Sequence, residues 1–543
     1  MNRVVKIAWT LLISIAVSSA TAFAAVSDPS GTGPFAVSSQ QVKIAGVTIP
    51  HVSYPVDIWA QVWYPTELSS GPFPLVLVLH GNHGVCRLPG STDDLCPADP
   101  PTCPAGYIQT PNHLGYNYFT SKLASWGYIV ASINANAINC RNYAIDDRGR
   151  LIQEHLRRWV AWNSASGAAP FGTLFSGRVN LSKVALVGHS RGGEGVRAGY
   201  DYLRNDLDPP SVDVPAVFEI APTDFGVPQV FNDFNVNFSV VLPGCDGDVS
   251  DNEGMRAYDR AQAMPETIFP SPKAQQFVWG ACHNFFNSQW SFDDANCFGP
   301  DQPAITRPTE QKIGSVYVMG FVRSYIGGED FTDLFTNDQG TPGFVKTTID
   351  NAFAQSRSDI LLVDDFSAQG SPAINNLGAT VTPTNISLTS CDGSSCATPS
   401  NVWIHDPVQH AGKLSWPHGS TGTPKLLERL AAPGKSIDVS SYGFLSFRVA
   451  EQNSSSNPAN PSVQNFSVTL RDNKGNQGTL QVSRFKKIHF PVGSGDRKSI
   501  LATARVPLTA FTGVDLTHVI QVGYVFNHTT TGAIFLSDIR FTQ

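Results

Sequence analysis

The chain has 543 residues, 41% of them hydrophobic and 15% charged, with a formal net charge of −7. That length exceeds one compact core and points to several domains, and the composition excludes a disordered chain. No lysine- and arginine-rich run stands out, which excludes nucleic acid and anionic membrane surfaces as expected partners.

Residues 1–25 read as a signal peptide. Arg3 and Lys6 give a positive start, Ile7 to Val17 is apolar, and Ala22-Phe23-Ala24 is a small-x-small cleavage site. The apolar run is too short to span a bilayer comfortably, and no later segment reads as a membrane span. Export to a secreted or periplasmic location permits disulfides, and all nine cysteines follow the signal. Residues 26–45, rich in Ser, Gly and Pro, read as a short, poorly ordered lead-in.

Across 46–356 apolar strands alternate with helical stretches. Val56 to Tyr64 alternates as a strand does, and Leu75 to Leu79 is a continuous apolar run, the pattern of a strand buried on both faces. A long segment with Cys86, Cys96, Cys103 and many prolines follows and reads as a disulfide-stapled loop beside a pocket. Helical spacing covers Tyr118–Ser125 and Asp147–Asn163. Further buried strands are expected at Gly127–Ser132, Lys183–Val187, Val214–Ile220, Ser239–Leu242 and Gln276–Trp279. This alternation predicts an α/β domain with a doubly wound parallel sheet and its ligand at the carboxyl ends of the strands.

Across 357–543 the pattern changes to short strands between Gly, Asn, Ser and Pro turns. Phe444–Val449, Asn465–Leu470, Gly478–Val482, Val519–Phe526 and Ala533–Phe541 predict an all-β sandwich. Cys391 and Cys396 suit a loop staple. Trp403 and Trp416 are placed either to stack on sugar rings or to fill the core.

Gly188-His189-Ser190-Arg191-Gly192 fits G-x-S-x-G in the setting that motif requires: a buried strand runs into it and a helix-compatible stretch follows. Glycines at 188 and 192 free the space that a serine at so sharp a turn needs. A serine hydroxyl is a poor nucleophile and needs a base, which in turn needs an orienting acid. His283, the only histidine between Ser190 and His405, lies in the loop after a strand and is the expected base. Asp246 and Asp248 both stand after the Ser239–Leu242 strand. Asp246 is the expected acid because Val249 follows three residues on, with Asp248 as the alternative. Cys245 and Cys282 adjoin these two loops; a bridge between them, or between Cys282 and Cys297, is expected. The backbone N–H groups of Asn82, in His80-Gly81-Asn82, and of Arg191 are the expected oxyanion hole.

Together these motifs resemble the α/β-hydrolase superfamily over about residues 50–325. Within it the chain is similar to the bacterial dienelactone hydrolase, platelet-activating-factor acetylhydrolase and cutinase-like polyester hydrolase groups. Asn82 and Arg191 depart from polyester hydrolases, which usually carry an aromatic residue and Met or Gln there, and Ser190 departs from the cysteine of dienelactone hydrolases. The last zone resembles galactose-binding-like jelly rolls and some carbohydrate-binding modules, through Asp364-Asp365-Phe366 and Ser537 to Phe541.

The resemblance implies an exported serine esterase, lipase or polyester hydrolase that needs no metal or organic cofactor. Its partners would be an ester substrate, polymeric if the cleft is open, and a polysaccharide or polymer surface held by the last domain. A peptidase or amidase would use the same triad. A polymer-binding protein on a hydrolase scaffold would need a broken one.

Overall fold

The computed structural model describes residues 26–543 apart from 92–93, 226–235, 264–270, 298–301, 337, 339, 356–359, 368–372, 394, 397–400, 403–404, 418–421, 460–461 and 492–496. The expected signal peptide and Trp403 lie outside the described residues. Among those residues no helix is long and apolar enough to cross a membrane.

Nine strands build the first sheet: β1 (Val37–Val47), β2 (Val56–Pro65), β3 (Phe73–Leu79), β4 (Ile129–Ile133), β5 (Val179–His189), β6 (Ala216–Ile220), β7 (Asn237–Pro243), β8 (Lys273–Val278) and β9 (Ile349–Ala354). Their order is β1-β2-β4-β3-β5-β6-β7-β8-β9. The six strands from β4 to β8 in that order run parallel, and β1, β2 and β9 are antiparallel flanks, so the sheet is mixed. Central strands β4, β6 and β8 are buried at every residue, although Ser132, Glu219, Lys273, Gln275 and Gln276 interrupt their apolar runs.

Five helices cover the sheet: α1 (Asn117–Ser125), α2 (Ile145–Asn163), α3 (Arg191–Asn205), α4 (Gly254–Ala263) and α5 (Arg307–Val322). Leu151 and Trp159 of α2, Val196 of α3 and Met255 of α4 share the core on one face. Phe119 of α1 with Ile313 and Val316 of α5 share the core on the other. Both faces of a parallel sheet are thereby kept from water.

The expected lead-in is corrected in part. Residues 37–45 belong to β1, paired along its length with β2. Only Val42 of β1 is buried, so a polar edge strand passed for a disordered leader.

From Ile360 onward the chain is β-rich. Strands Ser387–Asp392, His410–Trp416, Gly532–Thr542, Phe444–Glu451 and Ala502–Pro507 form one antiparallel sheet, with Ile360–Asp364 also paired to Gly532–Thr542. Val381–Thr384, Lys425–Arg429, Val519–Val525, Ser467–Asp472 and Gln477–Gln481 form the second. Leu414, Phe447 and Ile534 of the first share a core with Leu426, Val468 and Tyr524 of the second. Trp416 is buried and stacks on Phe526 at 4.3 Å, a core position.

Four disulfides form: Cys86–Cys103, Cys96–Cys140, Cys245–Cys297 and Cys391–Cys396. Both expected bridges of Cys282 are overturned, and this cysteine is buried and free. The Asn296 N–H donates to the Cys245 carbonyl at 2.7 Å, which brings Cys297 rather than Cys282 alongside Cys245. The N–H of Cys282 donates instead to Glu310 of α5 at 2.9 Å.

Candidate active site

Strand β5 delivers its last residue, His189, and the chain turns at Ser190 straight into α3. Ser190 has φ 58° and ψ −130°, a strained geometry for a residue with a side chain, and its N–H is fixed by the Ile220 carbonyl of β6 at 2.9 Å. The neighbouring glycines are required by space. A Cβ on Gly192 would lie 2.4 Å from the Leu79 carbonyl oxygen, and one on Gly188 would lie 2.2 Å from that of Gly192.

The loop after β3 runs against this turn. A Cβ on Gly81 would meet the Ser190 Cβ at 2.4 Å. His80 pins the loop: its Nε2 accepts the Ala135 N–H at 2.8 Å, so Nδ1 carries the proton and donates to the Gly81 carbonyl at 2.8 Å. Burial pushes the His80 imidazole down to about 3, which keeps it neutral in that role. The Asn82 side chain accepts the Cys140 N–H at 2.8 Å, so the Cys96–Cys140 bridge braces this loop too. Among the described residues the N–H groups of Asn82 and Arg191 have no hydrogen-bond partner. For Arg191 this follows from its place in the first turn of α3.

Asp246 follows β7 and His283 follows β8. Asp246 is fully buried; its Oδ1 accepts the N–H groups of Asp248 at 3.0 Å and Val249 at 2.7 Å, and its Oδ2 lies 3.0 Å from His283 Nδ1. Asp248 is different: its side chain is largely exposed, and its Oδ2 lies 3.5 Å from His283 Nε2, on the opposite edge of the ring. Burial alone would lower the His283 imidazole, but the carboxylates of Asp246, Asp248 and Asp294 override it and raise it to about 9. His283 Nε2 is buried and makes no hydrogen bond, and among the described residues Ser190 Oγ makes none either.

A cavity of about 260 Å³ opens over Ser190; neither Asp246 nor His283 lines it. Its walls include Asn82, Ser190, Arg191, Phe225, Asp248 and Glu253. Ser190 is 2% exposed, at the floor. The Arg191 guanidinium lies 5.4 Å from the Phe225 ring and 6.0 Å from the Tyr143 ring at its edge. A larger cavity, about 530 Å³, lies between residues 338–350 and 483–489, and it holds none of the expected catalytic residues.

Several supporting residues were not singled out in the sequence. Asp294 Oδ2 accepts the N–H groups of Gly247 at 3.3 Å and His283 at 3.2 Å, and its Oδ1 accepts that of Asn284 at 2.8 Å. It thereby binds the Asp246 loop to the His283 loop. Trp290 stacks on His83 at 4.7 Å and packs on His189 at 4.8 Å. Both follow His283 within one loop, and that proximity is the only sequence signal they offer. Tyr116 holds His189 Nδ1 at 2.9 Å, and burial keeps the His189 imidazole well below its usual range, so His189 packs behind the site as a neutral ring.

Cys282, Asp293 and Asp294 lie close enough to share a cation. Asp294 already accepts three backbone N–H groups, and burial followed by the Glu310 carboxyl pushes the Cys282 thiol far up. That donor set suits a loop clamp better than a metal ligand set. No protein-family model matches the chain, and no curated protein matches it.

Proposed function

We propose that the chain is an exported serine hydrolase of the α/β-hydrolase type that cleaves carboxylic esters through an acyl-enzyme on Ser190. The observation that carries this reading is a buried Asp246–His283 pair whose free Nε2 faces Asp248, a residue that shares one small cavity with Ser190 and Asn82. His283 Nε2 takes the Ser190 proton as Oγ attacks the ester carbonyl carbon. Asp246 holds the ring by Nδ1 and stabilises the imidazolium. The N–H groups of Asn82 and Arg191 meet the developing oxyanion. The proton then passes to the leaving alcohol, and water repeats the sequence to free the acid. Asp248 must swing off Nε2 for this to occur, and its exposure leaves it room.

The β-rich half is proposed as a galactose-binding-like jelly roll. The test is hydrolysis of p-nitrophenyl esters of increasing acyl length by wild type and Ser190→Ala. A loss on the order of 10⁴ in the variant supports the acyl-enzyme. Equal rates in both remove Ser190 from the chemistry. Hydrolysis confined to p-nitroanilide substrates would favour an amidase.

A further inference from the structure

The two halves of the chain meet along a packed seam. Ile500 and Ala502 of the β-rich half lie within the core of the nine-stranded sheet. The Phe353 N–H of β9 donates to Thr503 Oγ1 at 2.9 Å. On α4, Asp259 is fully buried and receives His405 at 2.6 Å and Arg448 at 3.3 Å, both from the β-rich half.

One residue of that half reaches the triad itself. Lys498 is 7% exposed, and its Nζ donates to the Asp246 carbonyl oxygen at 3.3 Å. Burial lowers its ammonium from the usual range, and the Asp246, Asp251 and Asp294 carboxylates act against that and favour the charged form. The charged and titratable groups acting on or packed against His283 are Asp246, Asp248, Asp294, Glu310 and the neutral His189 ring. Burial pushes the Glu310 carboxyl well up, so the negative charge around His283 is that of Asp246, Asp248 and Asp294, and the buried Lys498 ammonium is placed against the Asp246 loop.

We propose that the β-rich half completes the active site by supplying Lys498 as a positioning residue. Its N–H donor holds the Asp246 backbone, so that the carboxylate stays on His283 Nδ1, and its positive charge offsets the carboxylates that would otherwise over-stabilise the imidazolium. It touches no reacting atom. This inference rests on the esterase reading for its kinetic consequence and on the seam alone for its electrostatic one.

The experiment uses the full chain with Lys498→Met, Lys498→Gln and Lys498→Arg. Two readouts are taken: the pH profile of p-nitrophenyl acetate hydrolysis, and the titration of His283 followed by NMR of ¹⁵N-histidine-labelled protein. In Lys498→Met, kcat is expected to fall roughly ten- to a hundredfold through lost alignment, with KM little changed. Removing a nearby positive charge raises the pKa of a histidine, so the acid limb and the NMR titration both move to higher pH by about half a unit or more. Lys498→Gln keeps a donor for the Asp246 carbonyl and is expected to show the pH shift with a smaller loss of kcat. Lys498→Arg restores both.

A folded Met or Gln variant with an unmoved His283 titration overturns the proposal. So does failure of both neutral variants to fold while Arg folds, which would make Lys498 a purely structural residue. If wild type hydrolyses no ester, the function reading fails by itself, and the NMR titration still decides the Lys498 inference.

Discussion

In the proposed mechanism a proton on His283 sets the pH range in which Ser190 can be activated. The imidazole is raised from 6.5 to about 9, so at neutral pH the resting base is mostly charged and must lose that proton before it can accept another. Ester hydrolysis should therefore rise with pH and level off only above about 9. The linkage to stability has the opposite sense: a raised pKa stabilises the fold fully below 6.5, and the contribution is lost as pH rises through about 9. Melting temperature should fall across the window in which activity rises. Asp248→Asn removes a carboxylate from the Nε2 edge, so it should move the acid limb to lower pH and leave the plateau rate near wild type. A pH–rate profile of that variant checks this, and an unmoved limb would show that Asp248 does not engage the ring in solution. Asp246→Asn should instead lower kcat by a factor on the order of 10⁴ at every pH, by favouring the wrong tautomer. The placement of Ser190 at a strand-to-helix turn and of Asp246 and His283 in loops after later strands was legible, because G-x-S-x-G after an apolar run and a lone histidine after a later strand are local patterns. Which of Asp246 and Asp248 lies on His283 Nδ1 was only half legible. Two carboxylates two residues apart face opposite edges of one ring, and only the turn made by the Asp248 and Val249 N–H groups fixes which lies on which edge.

Among the elements, α4 carries the seam. Its buried Asp259 holds Arg448 and His405, while Arg260 bridges Asp224 at 2.5 Å and Asp406 at 2.7 Å. Removing one partner of a buried pair strands the other charge away from water, so Arg448→Met should cost about 3–5 kcal/mol. Chemical denaturation should then show two transitions, one for each half, where wild type shows one. A single transition with unchanged midpoint would mean that the pair does not hold the halves together. The central strands were legible within a few residues because burial on both faces leaves mostly apolar segments, unbroken at Leu75–Leu79 and interrupted by buried Glu219, Lys273, Gln275 and Gln276 in later strands. Strands Val381–Thr384 and Lys425–Arg429 were missed because they are short and carry polar residues on their open face. β1 is eleven residues long and was missed for its polarity alone: ten of its eleven residues are not buried. The cysteine pairing was illegible in the 245–297 region, since the Asn296–Cys245 backbone bond that sets it joins segments about fifty residues apart.

For the molecule as a whole, the change of composition near residue 357 marks the passage from a mixed sheet with helices to antiparallel sheets. What the composition could not reveal is how closely the halves are joined, because Ile500, Ala502 and Lys498 lie in an unremarkable stretch of the second half and act in the first. A tethered binding module could be removed without harm to the enzyme. Here truncation after residue 355 should expose the apolar seam and the unpaired Asp259, and remove Lys498 from the acid loop. The shortened chain should aggregate or lose most of its activity, checked by size-exclusion chromatography and ester hydrolysis; a monomeric, fully active fragment would refute the seam. The decisive measurement on Ser190 is its reaction with a fluorophosphonate probe, followed by mass spectrometry of the peptides. One adduct per chain is expected on the Ser190 peptide in wild type, none in Ser190→Ala, and slow labelling in His283→Ala. Absence of an adduct in wild type, or an adduct on another residue, would contradict the proposed role of Ser190.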